Sequence, residues 1–585
     1  MDGTAEIRRI FQDAEEFPPM GGGDDGGAQE PPEEEPIEAR CAEFPLNDYG
    51  NGQRFVAYFG ADHLFVPRVG WHGWTGKVWK LDEDKIDVRR AAQRVAARIL
   101  DEIPHLALED WERRAMDEGD QAAERLLEIY AKDARDELTD ADRKEKKKLD
   151  ELVRLGEEAR KALGSRKKSH RAHAKAAGNT GAINNMLTEA SVWRTCQLEE
   201  LNADPLAVNT LSGVFQFRQK PCPHDAALGR ETLVWDFEIL PHDRTQMISK
   251  IMPVEYDPAA TCPQFDKFLE RIQPNPEIRE FLRRWFGYTL TGLTGEQKLV
   301  FAHGAGRNGK STLVDTIAEM MADYAITVGI ESFTGSEQRK GSDATPDLVR
   351  LPGARMVRSS EPESGQKFKE ALIKALTGGE PIPIRRMHQE FFEVTPEFKL
   401  TIQGNHKPDI RGGDDGIWRR VLLVPFEQQI PAEEVDRELP AKLRAERSGI
   451  FNWLIGGLLA YLEDGLAIPK VIEDATAVYR EESDPLRVFL LEHCEITGAE
   501  EDFVKSRDLI DAFRLWLEDR GEEAWTKRHT SNQIRARSGG MLKHPETGAI
   551  FTHHKRSDTG YLGLRLLPET AARLAMFRGS QDPFP

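Results

Sequence analysis

The sequence contains no apolar run of about 18 residues, the length a membrane-spanning helix requires, so no membrane span is expected. Its first residues, "MDGTAEIRRIFQDAEEF", lack a basic start followed by an apolar stretch, and no secretory signal is expected. Cysteine is scarce. The five residues Cys41, Cys196, Cys222, Cys262 and Cys494 are scattered, and none forms a C-x-x-C pair. This argues against a disulfide framework or a zinc ribbon and fits a reducing cytoplasm. Cys222 and His224 make a Cys-x-His with no second ligand pair in view. Positive charge is also in deficit, with a net charge of -20. That balance is unusual for a nucleic-acid partner, but it is unevenly spread. Residues 1–40 hold about half of the excess, in stretches such as "GGGDDGGAQEPPEEEP". A segment of this composition cannot bury enough apolar surface to order itself, and a disordered acidic tail is expected. Residues 527–565 have the opposite balance, with eight Lys or Arg against Glu546 and Asp558, plus four histidines.

A chain of 585 residues is too long for one core, so two to four domains are expected. Residues 41–280 form a first region. "QRFVAYFG" and "HLFVPRVGWHGWTGKVWKLD" read as a helix followed by short aromatic strands with a "TGK" turn. Residues 105–175 are highly charged. Apolar positions at Leu126, Leu127, Tyr130, Ala134 and Leu138, and again at Leu149, Leu152, Val153 and Leu163, have helical spacing. Two long helices in a protruding hairpin are predicted. The arm reads first as a solvated strut, and the run "RKKSHRAHAK" keeps open a partner- or DNA-contacting element. "GVFQFRQ", "LVWDFEIL" and "ISKIMPVEY" predict β-structure over 205–255. Residues 264–293 predict helices anchored by Phe281, Trp285, Phe286 and Tyr288.

At 303–312 the chain reads "HGAGRNGKST", which fits G-x-x-x-x-G-K-[ST]. "QKLVFAHG" before it predicts a strand and "STLVDTIAEMM" after it a helix, the context that a phosphate-binding loop needs. Backbone N–H groups over Gly304, Ala305, Gly306, Arg307, Asn308 and Gly309, with the helix N-terminus at Lys310, Ser311 and Thr312, would cradle the phosphates of ATP. Lys310 would neutralise the β- and γ-phosphates, and the Ser311 hydroxyl would ligate Mg²⁺. A second strand, Ala354–Ser359, leads to Glu361, placed to orient Mg²⁺ and the attacking water, with Glu363 as the backup. A third strand, "EFKLTIQGN", ends in Asn405, whose amide could contact both the γ-phosphate and that water. "DDGIWRRVLLVPF" sets Arg419 and Arg420 just before a fourth strand. Either guanidinium could reach a neighbouring subunit's γ-phosphate; the alternative is an ion pair to Asp414 or Asp415.

This series of a strand, Walker A loop and helix, followed by "SSE", "KALTGGEPIPIRR", "FKLTIQGNHKPDI" and "GIWRRVLLVPF", resembles superfamily 3 helicases. More narrowly it resembles the phage/plasmid primase-helicase family, which includes the satellite-phage alpha protein and the poxvirus primase-helicase. "NDYGNGQRFVAYFGADHLFVPRVGWHGWTGKVWKLD", "LAVNTLSGVFQF" and "YDPAATCPQFDKFL" extend the resemblance to roughly residues 45–565. The resemblance implies an α/β fold with an AAA+-like P-loop core over 281–430, a helical lid over 431–484, and ATP sites at the interfaces of a homo-oligomer, a hexamer. Lys310 and Ser311 carry over as Walker A, Glu361 as Walker B, Asn405 as sensor 1, and Arg419 or Arg420 as the arginine finger, with Arg420 slightly preferred. It also implies an inner β-hairpin. "IPIRRMHQEFFEV" has that character, and Arg385, Arg386 and His388 would face single-stranded or forked DNA. The single acid of "SSE" departs from the family's acid pair, and no primase site is evident, which implies a separate primase or polymerase as a partner.

In the C-terminal region, "KSRDLIDAFRLWLEDRG" predicts an amphipathic helix with Leu509, Ile510, Phe513 and Leu517 on one face. "TSNQIRARSGGML" predicts a second helix, and "AIFTHHKRSDTGYLGLRLL" two strands joined at "RSDTG". Helix, helix and hairpin over 485–570 predict a winged helix, with a tail over 571–585. His553, His554, Lys555 and Arg556 would lie on the wing and contact DNA. The expected activity is ATP-dependent DNA unwinding in replication of a phage, prophage or plasmid. The alternative is an ATP-dependent origin-binding initiator that separates no strands itself.

Overall fold

The computed structural model describes residues 35–222, 232–335, 348–360, 366–385, 391–410, 415–521, 524–555 and 558–581. The chain divides into two compact units, residues 1–61 with 89–193, and residues 62–88 with 194–585.

The first unit is helical: α1 (Ile37–Ala42), α2 (Asp48–Phe59), α3 (Ile86–Asp101, of which Arg89 onward belongs here), α4 (Asp110–Asp133), α5 (Asp140–Ala177) and α6 (Thr180–Trp193). The start of α5 follows from "LTDAD". Thr139 accepts from the Asp142 backbone N–H, and Asp142 accepts from that of Thr139, so two orphan donors are satisfied at once. Helices α4 and α5 form the predicted hairpin. They approach closely where Gly119 meets Gly156: a Cβ on Gly156 would lie 2.9 Å from the Ala115 carbonyl oxygen. The base of the unit holds a buried charge pair, with Arg54 Nε 2.9 Å from Glu102 Oε1. Burial pushes the Glu102 pKa up, opposed by the Arg54 hydrogen bonds. Arg54 also donates to the carbonyls of Cys41, Phe44 and Pro45, so the buried guanidinium is well supplied with acceptors.

The second unit opens with an antiparallel sheet of β1 (His63–Val66), β2 (Gly70–Trp74) and β3 (Trp79–Leu81), as the aromatic run predicts. A second antiparallel sheet follows, of β4 (Ala207–Thr210), β5 (Gly213–Pro221) and β6 (Leu233–Leu240). "ISKIMPVEY", expected as a further strand, contributes only an isolated bridge between Thr210 and Met252. Pro253 interrupts it because it has no N–H for a ladder. Helices α7 (Pro263–Ile272) and α8 (Pro276–Thr289) come next.

The centre of this unit is a five-stranded parallel sheet of β7 (Leu299–His303), β8 (Ala325–Thr327), β9 (Met356–Ser360), β12 (Lys399–Gly404) and β13 (Val421–Pro425), in the spatial order β13-β7-β12-β9-β8. Helices α9 (Lys310–Met321) and α10 (Glu370–Gly378), the hairpin β10 (Ile382–Arg385) and β11 (Phe391–Val394), and α11 (Asp415–Trp418) lie between the strands in sequence. The strands are apolar on both faces because both are covered. Val300 and Ala302 belong to a core with Leu313, Val314 and Ile317 of α9. Leu299 and Phe301 belong to another with Ile373, Leu376 and Ile417.

Helices α12 (Leu439–Ala445), α13 (Arg447–Asp464) and α14 (Lys470–Glu482) follow the sheet. Helix α13 crosses α8 with almost no gap, since a Cβ on Gly287 would lie 2.2 Å from the Leu458 nitrogen. The C-terminal part comprises α15 (Pro485–Glu492), β14 (Cys494–Ile496), β15 (Phe503–Lys505), α16 (Ser506–Asp519), α17 (Lys527–Arg537), β16 (Thr552–Lys555), β17 (Thr559–Leu562), β18 (Leu564–Leu566) and α18 (Pro568–Gln581). The order helix, helix, hairpin is present, and Leu509, Phe513, Leu517 and Ile534 share a core with Phe551 and Tyr561.

Three boundaries differ from the sequence reading. The expected tail from 571 is helical through Gln581, helix α1 begins inside the expected acidic tail, and β9 starts two residues later than predicted. Residues 1–34 of that tail lie outside the described residues.

Candidate nucleotide site

The site forms where β7 ends. Strand β7 pairs with β12 on one side and β13 on the other, while the chain leaving it goes to the far edge of the sheet. The crevice beyond the carboxyl ends of such strands is where parallel α/β sheets bind ligands. Residues 304–309 connect β7 to α9, and their shape requires glycine twice. Gly309 has φ +76°, and a Cβ there would lie 2.4 Å from Ile272 Cγ2. A Cβ on Gly304 would meet the Phe426 carbonyl oxygen at 2.0 Å. Ala305, Gly306 and Arg307 are exposed, whereas Asn308 is buried and donates from Nδ2 to that same carbonyl at 3.0 Å.

Lys310, only 5% exposed, turns back over the loop. Its Nζ donates to the Gly304 carbonyl at 2.6 Å, to Asn308 Oδ1 at 3.0 Å and to Asn405 Oδ1 at 3.2 Å. The last contact joins residues 95 positions apart, the start of α9 and the tip of β12. Beside it, burial pushes the His303 pKa down, helped by the charges of Lys407 and Lys310.

A polar cleft of about 420 Å³ opens here, lined by Gly306, Arg307, Lys310, Ser311, Gln403 and Asn405, among others. Ser359 and Ser360, at the end of β9, line it as well. The Ser359 hydroxyl and the Gln403 side-chain carbonyl are buried and have no hydrogen-bond partner among the described residues. Unpaired polar atoms are costly to bury, and a bound polar ligand relieves that cost. Arg358 donates from Nε to Thr327 Oγ1 at 2.8 Å and pairs with Asp315 at the same cleft. On the other side of the loop a second cleft, of about 510 Å³, is lined by Phe268, Arg271, Gly309, Thr312, Ile430 and Val435 among others. Neither the Ser359–Gln403 pair nor this second cleft was legible in the sequence, because no motif marks residues that only the sheet order brings together.

The remaining sequence-predicted residues fall into three groups. Glu361, Glu363, Arg386, His388 and Arg556 lie outside the described residues. Arg385 ends β10 with its guanidinium 5.2 Å from the Phe391 ring centre, and Lys555 is exposed at the end of β16. Arg419 and Arg420 have opposite environments. Arg420, the preferred finger, is buried and donates to Thr377 Oγ1 at 3.1 Å and to the Gly416 carbonyl at 2.5 Å. Arg419 is exposed. Burial and these hydrogen bonds tie the Arg420 guanidinium into its own chain, which counts against the preference for it, and Arg419 is the exposed member of the pair. Of the Cys222–His224 pair, His224 lies outside the described residues. Among those described, no group of three or more His, Cys, Asp or Glu could hold a metal ion.

Residues 52–274 match the family model described as D5 N terminal like, and residues 302–420 match a family of unknown function, DUF5906. "Putative helicase L207/L206" of Acanthamoeba polyphaga mimivirus is 26% identical over 313 residues, covering 49% of this chain and 32% of the relative. "Putative helicase 022R" of Frog virus 3 is 27% identical over 268 residues, covering 43% and 27%. "Putative helicase V13" of Sputnik virophage is 24% identical over 237 residues, covering 38% and 30%. Among solved structures, the C-terminal region of NrS-1 aligns at 14% identity and a TM-score of 0.32, over 46% of this chain and 59% of that one. The D5 N terminal like match and these helicase-named viral relatives support a likeness to the phage and viral primase-helicase family. The matched segments span about a third of the length of these curated relatives.

Proposed function

We propose that the chain is an ATP-driven DNA helicase of the superfamily 3 type, acting in replication of a phage, prophage or plasmid. The observation that carries this reading is the contact between Lys310 and Asn405. It joins a phosphate-binding loop to the amide at the tip of the neighbouring strand, the pair that a γ-phosphate would sit between. The residues fit a triphosphate. The loop is too tight for side chains at Gly304 and Gly309, the N-terminus of α9 faces the cleft, and two buried polar atoms there have no partner among the described residues. Ser311, which lines the cleft, would hold Mg²⁺ together with Glu361. The ion supplies positive charge that polarises the phosphoryl oxygens. Lys310 neutralises the phosphates, Asn405 orients the lytic water, and Arg419 of a neighbouring subunit stabilises the charge that develops. That division of labour requires a homo-oligomer, for which the family resemblance implies a hexamer with an AAA+-like core.

The hairpin with Arg385, Arg386 and His388 and the C-terminal winged helix with Lys555 and Arg556 are assigned to DNA. Contacts of this kind, to phosphates without base reading, suit a translocating motor. The second reading, an origin-binding initiator, rests on the basic C-terminal region. Forked-duplex unwinding with ATP and Mg²⁺, with Lys310→Ala as the control, separates the two. Unwinding that disappears in the control supports the motor, and DNA-stimulated hydrolysis without strand separation supports the initiator.

A further inference from the structure

The first unit contains a stretch whose charge contradicts that of the whole chain. Between Glu158 and Glu189 there is no acid, yet there are seven cations: Arg160, Lys161, Arg166, Lys167, Lys168, Arg171 and Lys175. In a chain of net charge -20 this stretch stands apart. Earlier along the arm several basic side chains are used internally. Arg125 pairs with Glu145, Lys132 with Asp142, Lys146 with Asp133, and Arg154 with Glu151 and Glu158. Two members of the acid-free stretch are used in the same way, Arg160 by Asp120 and Arg166 by Glu112. Lys161, Lys168, Arg171 and Lys175 are exposed and have no ion pair among the described residues.

Helical geometry puts these four on one face. At 100° per residue they fall within a sector of about 80° and run along about 21 Å of α5. The opposite face is the anchored one. His170, Ala174 and Ala177 are buried there, and nearby His173 meets Asn51 Oδ1 at 2.8 Å. The cationic stripe is therefore held rigidly outward by packing on its other side. Small or polar residues lie between the cations, Gly164, Ser165, Ser169 and Ala172, and none of the exposed large hydrophobic residues falls between 131 and 191. A protein partner would be expected to find aromatic or aliphatic anchors at the centre of its interface. A rigid row of Lys and Arg without such anchors fits a phosphodiester backbone, bound through charge and without reading of bases.

We infer that the outward face of α5, through Lys161, Lys168, Arg171 and Lys175, binds the DNA backbone and forms a contact separate from the hairpin and the C-terminal domain. The identity of the polyanion rests on the reading of the chain as a DNA-acting motor; the existence of the contact does not. The test uses the full chain and fluorescence anisotropy with a labelled single-stranded oligonucleotide and a labelled forked duplex, across a salt series. Two variants are compared with the wild type: one with all four residues changed to Glu, and one with all four changed to Ala, which favours helix. Four phosphate contacts correspond to about 3 units of the slope of log K against log salt for a single strand. The expected result is a slope shallower by about 2–3 units in the Ala variant, and affinity at least about tenfold weaker near 0.1 M salt, with DNA-independent ATP hydrolysis unchanged. The Glu variant should bind more weakly still, and Arg154→Ala, which removes a paired cation, should bind as the wild type does. Wild-type affinity and slope in the Ala variant, with helical content retained by circular dichroism, would overturn the inference. A wild-type chain that binds DNA through this stripe but neither hydrolyses ATP nor unwinds would overturn the motor reading and leave this one standing.

Discussion

Arg420 Nε donates to Thr377 Oγ1 at 3.1 Å, tying the start of β13 to the end of α10 inside one subunit. Its neighbour Arg419 is exposed and donates none of the side-chain hydrogen bonds described. One position along the chain thus separates a guanidinium held inside its own chain from one exposed to solvent. Arg420→Ala should lower stability by roughly 1.5–3 kcal/mol, the usual worth of hydrogen bonds to a charged group, read as a fall in Tm. Arg419→Ala should leave Tm within about 0.5 kcal/mol of wild type, as exposed substitutions do, while reducing ATP hydrolysis by a factor of roughly 10³ or more. Mixing Arg419→Ala with Lys310→Ala subunits should restore part of the turnover, because each can supply what the other lacks. No restoration would count against a shared site.

Lys310→Ala should abolish hydrolysis with the fold retained. Thermal shift provides an independent readout. A ligand at about 100 times its Kd stabilises the protein by about 2.7 kcal/mol, and that increment should shrink or vanish in the variant. Normal turnover in Lys310→Ala would refute the site assignment.

Ser359→Ala tests the orphaned hydroxyl. Without nucleotide the variant should be as stable as wild type or up to about 1 kcal/mol more stable, since a buried group with no partner among the described residues is lost. The nucleotide-induced rise in Tm should become smaller. A destabilised variant with an unchanged nucleotide shift would show that the hydroxyl serves the fold and not the ligand.

Gly287→Ala should be among the most destabilising single-methyl additions in the chain. The new Cβ would lie 2.2 Å from the Leu458 nitrogen and 2.4 Å from the Gly457 carbonyl carbon, both backbone. Overpacking of this kind typically costs about 1–3 kcal/mol, and here α8 and α13 would have to move apart. Urea unfolding would read it as a lower midpoint.

Stability should fall in acid through His72. Burial pushes its pKa down to about 4, against a hydrogen bond to the Gly70 carbonyl that works the other way. The unfolded chain takes up this proton near pH 6.5 and the folded chain only near 4. The contribution of neutral His72 is therefore complete above about pH 6.5 and is lost as pH falls from there towards 4, a total on the order of 3 kcal/mol. A plot of Tm against pH over that range should flatten in His72→Gln. An unchanged slope would assign the acid sensitivity to other groups.

Local structure is legible where spacing and punctuation act within a few residues. The helical hairpin at α4 and α5 follows from apolar periodicity and the Thr139 cap. The loop from β7 to α9 follows from two glycines with a strand before and a helix after. The amphipathic face of α16 was legible for the same reason. The failures have a common cause. "ISKIMPVEY" has strand-like composition, but Pro253 cannot donate to a ladder, and the backbone there makes only scattered bonds, with Trp79, Asn209 and Leu211. Residues beyond 571 look unremarkable in sequence, yet Leu574 is buried against the C-terminal core, so the helix continues.

Sequence alone determined the glycine-rich loop with its G-x-x-x-x-G-K-[ST] spacing, the elements on either side of it, and a family resemblance, because those features are encoded by residues adjacent along the chain. Tertiary structure decided which strand tips meet that loop. Asn405 reaches Lys310 only because β12 inserts beside β7 in the sheet order, and Ser359 and Gln403 line the same cleft for the same reason. It also gave Arg419 and Arg420 different environments. Adjacent arginines are chemically identical in sequence, and burial separates them: desolvation commits one guanidinium to neighbouring carbonyl and hydroxyl oxygens, while water leaves the other exposed.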